Sequence, residues 1–361
     1  MSERFDIAII GAGIAGASLA AEVAGKGRVI LLEAEDRPGY HATGRSAAFW
    51  TESYGGPSIQ PLTAMSGPFL REHGFLRPRG ALTIGKDAQG DAIDRFAGEF
   101  SALGVRVERL DRAGLEARIP GLRPGWNHGA LEPSCADIDV AGLHQHYLAT
   151  ARREGAELRT RSRLVDASRD DLGWQLETAD GDWIACDVLV NAAGAWADEV
   201  ARCAGLRPIG ITPMRRTIAQ VAVSPGAPSD LPLVLDVAER FYFKPDAGSV
   251  WLSPHDETPS PACDAAPEEI DVALAIERFG QVVDWQVKRV THRWAGLRSF
   301  APDRLPVYGF DSREPRFFWF AGQGGFGIQT APAGAAIGAG LLIGSGQAAI
   351  NPQPFAPSRF S

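Results

Sequence analysis

The start of the chain alternates between apolar runs and small residues in a regular order. Apolar runs occupy residues 5–10 and 28–32, a glycine-rich turn occupies residues 11–16, and small apolar residues fill positions 17–24. Short apolar runs bounded by glycine are typical of buried strands, whereas the intervening stretch has the composition of a short helix. The pattern therefore predicts a βαβ unit.

The rest of the chain mixes helical and strand patterns in two interleaved groups. An amphipathic pattern predicts a helix at residues 91–103. Further strands are predicted at residues 80–84, 163–165, 174–177, 183–186 and 316–320. We therefore predict an α/β protein with a discontinuous Rossmann-like nucleotide-binding domain, formed by residues 1–52, 141–208 and 301–361. An interleaved α+β substrate-binding domain, built on a mostly antiparallel sheet, is predicted for residues 53–140 and 209–300.

The composition excludes several classes of function. The 361 residues are 45% hydrophobic and carry a formal net charge of −8 without a long basic run, so a nucleic-acid partner is not expected. The cysteines stand far apart, at Cys135, Cys186, Cys203 and Cys263. This spacing favours a cytoplasmic location and argues against a disulfide framework or a metal site. Neither an export signal nor an integral membrane segment is expected, because the glycine-dense apolar stretches lack flanking anchors.

The glycine turn carries a dinucleotide-binding fingerprint. Gly11, Gly13 and Gly16 match G-x-G-x-x-G between the first predicted strand and helix. In this motif the first glycine permits a tight turn, the second lets the backbone approach a pyrophosphate, and the third lets helix and strand pack closely. Glu33 ends the next predicted strand, where an acid accepts hydrogen bonds from ribose hydroxyls. A dinucleotide site is therefore predicted here.

A second glycine loop, at residues 322–327, also matches G-x-G-x-x-G after a predicted strand. No Asp or Glu follows it, and too few residues remain for another βαβ unit, so a second nucleotide site for NAD(P)H is not expected. We predict instead that the loop forms a helix N-terminus that faces the ring or the pyrophosphate of the one bound dinucleotide.

Several segments beyond the fingerprint resemble one protein family across nearly the whole chain. They are PGYHATGRSAA (38–48), VNAAGAW (190–196), FYFKPDAG (241–248), WAGLRSF (294–300) and GQGGFGIQT (322–330). These segments resemble the FAD-dependent D-amino acid oxidase and dehydrogenase superfamily, and within it the bacterial D-arginine dehydrogenases most. The resemblance implies FAD as the cofactor, held in the Rossmann-like domain.

The resemblance, together with the fingerprint, implies a set of FAD contacts. The small polar loop at residues 43–48 suits the FAD phosphates and the flavin edge. The predicted cofactor-binding residues are Gly11, Gly13, Ile14, Ala15, Gly16, Glu33, Ala34, Thr43, Gly44, Arg45, Ser46, Ala47, Ala48, Val165, Ala192, Ala193, Gly194, Trp196, Arg298, Gly324, Gly325, Phe326, Gly327, Ile328 and Gln329.

The resemblance also implies where a small-molecule substrate binds. Arg298 and Arg216 match positions where a planar guanidinium holds a substrate carboxylate. Arg215 and Arg216 are adjacent on a predicted strand, where side chains alternate faces, so one of them is expected to reach the site, and we predict Arg216. Tyr54 and Tyr242 match tyrosines that line the pocket. Further pocket positions are Phe49, Gly80, Gly325 and Gln329.

The implied reaction is oxidation of a D-amino acid to an imino acid, which water hydrolyses to a 2-oxo acid and ammonia. Hydride passes from Cα to flavin N5, and the sequence offers no dedicated histidine base. D-arginine dehydrogenases have an acid where this chain has Gly80 and a histidine where it has Phe49. A preference for neutral or apolar side chains is therefore expected.

Other interpretations share the same residues. The substrate could be a secondary amine of the sarcosine or glycine type, or a 2-hydroxy acid, since each presents a carboxylate. A different class of protein, a non-catalytic FAD-binding subunit, is the further alternative. FAD is expected to be non-covalent, with attachment through His41 as the alternative. Oxygen, a quinone and an electron-transfer protein all stay open as electron acceptor, as does the oligomeric state.

Overall fold

The computed structural model describes residues 3–344 and 350–360. The helices in this part of the chain are α1 Ile14–Val23, α2 Gln60–Glu72, α3 Gly90–Ala102, α4 Arg112–Glu116, α5 Val140–Arg153, α6 Ala197–Cys203, α7 Glu269–Gly280 and α8 Ala331–Ile343.

The strands divide between two large sheets and one small one. The first twelve are β1 Glu3–Ile10, β2 Val29–Leu32, β3 Phe49–Trp50, β4 Leu76–Pro78, β5 Ala81–Lys86, β6 Glu108–Leu110, β7 Trp126–Glu132, β8 Ala136–Ile138, β9 Glu157–Arg159, β10 Leu164–Arg169, β11 Trp174–Thr178 and β12 Trp183–Asn191. The others are β13 Thr212–Ser224, β14 Leu233–Asp236, β15 Tyr242–Asp246, β16 Ser249–Ser253, β17 Thr258–Pro259, β18 Gln286–Phe300, β19 Val307–Phe310, β20 Phe317–Ala321 and β21 Gln323–Gly324.

The first sheet has the order β10-β11-β12-β1-β2-β9, with β20 beside β12 and β19 beside β20. Its centre is parallel: β1 pairs with β2 and β12, β2 with β9, and β12 with β20. Ile7 and Ile9 face a core formed with α1, α5 and α8, whereas Ala8 and Ile10 face a second core that includes α6. Burial on both faces explains the uninterrupted apolar run of β1, and the sheet confirms the predicted βαβ unit.

The second sheet is mostly antiparallel and has the order β21-β18-β13-β16-β15-β14-β5-β7-β6, with β17 beside β13. Only the pairing of β14 with β5 is parallel among its described pairs. The long strands β13 and β18 pair along nearly their whole lengths. A three-stranded sheet, β3-β8-β4, completes the strand pairing. The α/β fold with a Rossmann-like sheet and a mostly antiparallel sheet is as predicted.

Two details differ from the sequence-based expectations. Helix α2, assigned to the substrate-binding domain, packs its Leu62 and Leu70 into the α1, α5 and α8 core of the first sheet. The second glycine loop is not a helix N-terminus, because α8 begins only at Ala331 and Gln323–Gly324 pairs with the end of β18 instead. The predicted domain boundaries stay a prediction.

Of the helices in the described ranges, none combines the length and the apolar character that crossing a bilayer requires.

Candidate active site

A cavity of about 300 Å³ runs between the two large sheets. At one end its lining follows the carboxyl ends of parallel strands: Gly11 after β1, Glu33 after β2 and Ala192 after β12. In open α/β sheets this edge is where nucleotides bind. At the other end the lining comes from the second sheet and includes Arg216 and Arg298. The cavity therefore joins the predicted cofactor and substrate residues.

The fingerprint turn has the geometry that its glycines are needed for. Gly11 has a φ of 99°, and a Cβ atom there would lie 2.7 Å from the carbonyl oxygen of Ala192. A Cβ atom on Gly16 would collide with the carbonyl oxygen of Gly11, because helix and strand touch at this point. Gly13 lines the cavity. The turn thus presents bare backbone to the cavity.

Side chains hold the start of α1 in place. Glu33 accepts hydrogen bonds from the backbone N–H of Ala12 at 2.9 Å and of Glu35 at 3.0 Å. Thr43 Oγ1 accepts the N–H of Ile14 at 2.9 Å. Because Glu33 also lines the cavity, and a carboxylate can accept about four hydrogen bonds, it can accept ribose hydroxyls as well.

The loop at residues 43–48 is anchored from behind. Arg45 forms an ion pair with Asp264 and donates to the carbonyl oxygen of Ala265 at 2.8 Å. Ala48 has a φ of 55°, and its carbonyl oxygen accepts from the buried Lys244 ammonium at 3.1 Å. Sequence reasoning missed Lys244, although it lies in the FYFKPDAG segment, because nothing in that segment indicates what the ammonium bonds.

His41 is engaged by a protein partner. Its Nε2 lies 2.9 Å from Glu35 Oε1, and its ring packs against Trp196 with centroids 4.5 Å apart. The other ring nitrogen, Nδ1, has no hydrogen-bond partner among the described residues but is buried. Because one ring nitrogen is bonded and the other is buried, we expect acid precipitation to leave yellow flavin in the supernatant, as measured by its absorbance. A yellow pellet that persists after washing would instead indicate covalent attachment.

The two predicted arginines meet at the far end of the cavity. Arg298 on β18 pairs with Met214 on β13, two residues before Arg216, so both arginines project from the same face of the sheet. Arg298 Nη1 donates to Tyr54 Oη at 3.3 Å, and Arg216 Nε donates to the carbonyl oxygen of Asp256 at 2.9 Å. Arg298 Nε and Arg216 Nη2 are buried and have no hydrogen-bond partner among the described residues. Each guanidinium group therefore has one donor that no described protein group satisfies.

Arg215 points to the other face. It forms ion pairs with Glu268 and with Asp271, the latter at 3.0 Å, and it does not line the cavity. Alternation along β13 separates it from Arg216, which is 6% exposed and does line the cavity. The choice of Arg216 agrees with this arrangement.

Aromatic rings enclose the arginine end of the cavity. The ring of Phe49 lies 5.2 Å from that of Tyr54 and 5.8 Å from that of Tyr242. Burial raises the pKa of Tyr242, so its phenol stays protonated and can donate a hydrogen bond. A Cβ atom on Gly325 would lie 2.7 Å from Tyr54 Oη and 3.1 Å from Arg298 Cδ. A glycine is thus required between the tyrosine and the arginine.

The loop after β16 brings three residues to this end that sequence reasoning missed. Glu257 accepts from Arg298 Nη2 at 2.7 Å, and Asp256 accepts from the N–H of Thr217 at 2.8 Å. Burial, reinforced by the charges of Arg216 and Arg298, lowers the pKa of His255 to about 3, so its imidazole is neutral near pH 7. The sequence shows that Asp256 and Glu257 are adjacent, but it does not indicate which strand they contact.

Two predicted site residues lie elsewhere. Gly80 does not line the cavity; it precedes β5 with a φ of 79°, and a Cβ there would face Leu131 and Pro232. Val165 is 45% exposed on the edge strand β10, and its neighbour Leu164 lines the cavity instead. Neither residue borders the cavity, and at Val165 alternation along β10 turns the side chain away from it. Their predicted roles stay predictions.

Three predicted residues lie behind the cavity lining. They do not border the cavity but pack against residues that line it: Gly16, Gly44 and Phe326. Gln329 borders the cavity, yet its Nε2 donates to the carbonyl oxygen of Tyr54 at 3.1 Å and so holds the tyrosine loop. The other predicted residues that line the cavity are Ile14, Ala15, Ala34, Thr43, Arg45, Ser46, Ala47, Ala48, Ala192, Ala193, Gly194, Trp196, Gly324, Gly325, Gly327 and Ile328. Within the described ranges, no group of three His, Cys, Asp or Glu side chains is arranged to hold a metal ion.

Comparison with known proteins agrees with this geometry. The family model "DAO: FAD dependent oxidoreductase" matches residues 6–341. The chain is 25% identical to hydrogen cyanide synthase subunit HcnC of Pseudomonas aeruginosa, over 86% of this chain and 85% of that protein. It is 24% identical to glycine oxidase of Geobacillus kaustophilus, over 92% of this chain and 91% of that protein.

Solved structures share the fold. The crystal structure of glycine oxidase from Geobacillus kaustophilus superposes with a TM-score of 0.85, covering 99% of both chains at 22% identity. That of L-proline dehydrogenase from P. horikoshii superposes with a TM-score of 0.86, covering 100% of this chain and 98% of the other at 21% identity. These likenesses confirm the fold, and the match to the family model confirms FAD as cofactor. The closer resemblance to D-arginine dehydrogenases stays a prediction.

Proposed function

The chain belongs to the DAO family of FAD-dependent oxidoreductases, and on that basis we propose that it oxidises a D-amino acid with a neutral or apolar side chain. The product is an imino acid, which water hydrolyses to a 2-oxo acid and ammonia. The observation that carries this proposal is the pair of buried arginines, Arg216 and Arg298, each with an unbonded donor beside aromatic rings.

A carboxylate is the ligand that this pair fits. A buried charged donor without a partner costs free energy, and a carboxylate satisfies two such donors at once. Arg298 Nη1 donates to Tyr54 Oη at 3.3 Å, and the guanidinium carbon of Arg216 lies 5.7 Å from the ring centroid of Tyr242. A substrate carboxylate held between these groups would fix which face of Cα is turned to the flavin.

Bound FAD supplies the hydride acceptor, flavin N5, and the chain supplies position and charge. Residues on the carboxyl side of the first sheet hold the nucleotide, and the loop at 43–48 with Gly325 lies between the nucleotide and substrate ends. His255 is a weak base because of its lowered pKa, and the raised pKa of Tyr242 keeps that phenol protonated. The amine is therefore expected to lose its proton to solvent before hydride leaves Cα.

The side-chain preference follows from the carboxylates near the arginine end. Asp256 is bonded to Thr217, and Glu257 is bonded to Arg298 and Arg304. A cationic side chain would thus find no free acid there among the described residues, whereas an apolar side chain can pack against the aromatic rings of Phe49 and Tyr242. This supports neutral or apolar substrates.

We expect kcat/KM for D-leucine, D-phenylalanine and D-proline to exceed that for D-arginine by at least about tenfold, the effect of leaving one charge unpaired in a partly buried pocket. Steady-state assays with an artificial electron acceptor measure this, with the L-enantiomers as matched controls. A clear advantage for D-arginine would contradict the proposed preference, and equal rates for both enantiomers would contradict the proposed stereochemistry.

A secondary or small primary amine is the second candidate, because the relatives include a protein named glycine oxidase. Glycine and N-methylglycine present the same carboxylate to Arg298 and need no side-chain pocket. Including both compounds, and 2-hydroxy acids, in the same assay separates this function from D-amino acid oxidation.

A further inference from the structure

Glu257 lies near the protein surface, beside Arg298, the arginine proposed to bind the substrate carboxylate. Its Oε1 accepts from Arg298 Nη2 at 2.7 Å and from Arg304 Nη2 at 2.8 Å, and its Oε2 lies 3.0 Å from Arg304 Nη2. Arg216 Nη2 is 3.8 Å from the same Oε1. The Glu257 side chain is 33% exposed, whereas Arg298 is 12% exposed. One carboxylate thus contacts three arginines, two of which, Arg216 and Arg298, line the cavity.

This carboxylate is ionised. Burial on its own would raise the pKa of Glu257, but the hydrogen bonds and charges of Arg304 and Arg298 outweigh burial and lower it. Asp256, on the same loop, faces Arg216 with its Oδ1 3.8 Å from Arg216 Nε. Three guanidinium groups therefore face two carboxylates, which leaves one positive charge for a ligand.

We propose that Glu257 is a specificity-determining residue that restricts this site to ligands with a single carboxylate. The inference rests on the proposed function, since it assumes that Arg216 and Arg298 bind the substrate carboxylate. The first carboxylate of a ligand neutralises the remaining positive charge. A second one, confined to the same small space, faces the charge of Glu257 without a free guanidinium to bond.

Glu257 also has a geometric effect. By accepting from Nη2 of Arg298, it restricts the guanidinium plane, while Nη1 bonds Tyr54 and Nε has no partner among the described residues. Because both two-nitrogen edges of a guanidinium include Nη2, this bond leaves at most one edge for a carboxylate and none for a second one. The same contact thus orients Arg298 and limits the charge that it can accept.

The test compares propionate and succinate as ligands of the FAD-loaded protein. Dissociation constants come from titrations followed by the flavin absorbance band and checked by thermal shift. In Glu257→Gln, the ratio of the succinate constant to the propionate constant is expected to fall by about tenfold, the effect of one unit charge in a partly screened site. A change in the pocket that alters the affinity for both ligands equally cancels in this ratio, because both dissociation constants are measured on the same variant.

Two further variants keep the test decisive. Glu268→Gln removes a carboxylate that pairs with Arg215 outside the cavity, and the ratio is expected to stay within about twofold of the wild-type value. Arg304→Gln removes a positive charge beside Glu257, so the ratio is expected to rise. If Glu257→Gln does not fold, the predicted rise of the ratio in Arg304→Gln still tests the proposal.

An unchanged ratio in Glu257→Gln, or a fall in Arg304→Gln, would overturn the proposal, as would a wild-type protein that binds neither ligand. Because the readout is ligand binding, it does not depend on turnover of D-amino acids. The ratio of dissociation constants can shift as expected in a protein that oxidises no D-amino acid. That result would refute the proposed function and leave the role of Glu257 intact.

Discussion

Arg298→Gln is expected to lower kcat/KM for the preferred D-amino acid by about a thousandfold, the usual cost of removing one side of a buried charged pair. The guanidinium has a buried, unbonded Nε and contacts Tyr54, so its replacement removes both the charge and the fork that would orient the carboxylate. Steady-state kinetics measure the loss, and the flavin absorbance shows whether the cofactor is retained.

The matched control is Arg215→Gln, which changes the residue next to Arg216. Arg215 is paired with Glu268 and Asp271 on the opposite face of β13, so kcat/KM is expected to stay within about threefold of the wild-type value. A loss of less than about tenfold in Arg298→Gln would refute carboxylate binding by this residue. An equal loss in both variants would point to damage to the strand rather than to the site.

Gly11→Ala is expected to yield protein that retains less than about a tenth of its FAD, because the turn cannot keep its conformation. The φ of Gly11 is 99°, which side chains rarely adopt, and the added Cβ would lie 2.7 Å from Ala192 O and 3.2 Å from Ala193 Cα. The turn must shift, and the backbone that faces the pyrophosphate shifts with it. The ratio of flavin to protein absorbance after purification measures the loss.

Gly98→Ala is the control, since a Cβ atom there meets nothing within 4 Å on helix α3. It is expected to retain FAD fully and to gain up to about 1 kcal/mol of stability from its higher helix propensity. Full FAD occupancy in Gly11→Ala would contradict the assignment of this turn to the cofactor. Thermal unfolding of both apoproteins separates weaker cofactor binding from a loss of the fold.

The nucleotide end of the molecule could be predicted in most detail from sequence, for a physical reason. Its signals are local: the glycines of the turn, the apolar strand before it and the acid after the next strand all lie within one βαβ unit. Gly11, Gly13 and Glu33 all line the cavity at the carboxyl end of the first sheet. The second glycine loop lacked this context, and it forms a strand and a turn where a helix start was predicted.

The substrate end depends on contacts between distant parts of the chain. Strand alternation was enough to choose Arg216 over Arg215, because that choice concerns neighbouring residues. Nothing local relates Glu257 to Arg298, which pair across the sheet through an irregular loop. Gly80 and Val165 were placed by resemblance alone, and neither of them lines the cavity. A resemblance thus transfers a segment more reliably than it transfers a side-chain direction.

Reduction of the bound flavin in the absence of oxygen tests the central claim most directly. The FAD-loaded protein is mixed with D-amino acids, their L-enantiomers, glycine, N-methylglycine and 2-hydroxy acids, and the flavin absorbance is followed. Bleaching by neutral or apolar D-amino acids, and not by the other compounds, is the predicted result. Bleaching only by glycine, N-methylglycine or a hydroxy acid would contradict the proposed substrate, and no bleaching by any compound would indicate a non-catalytic FAD-binding subunit.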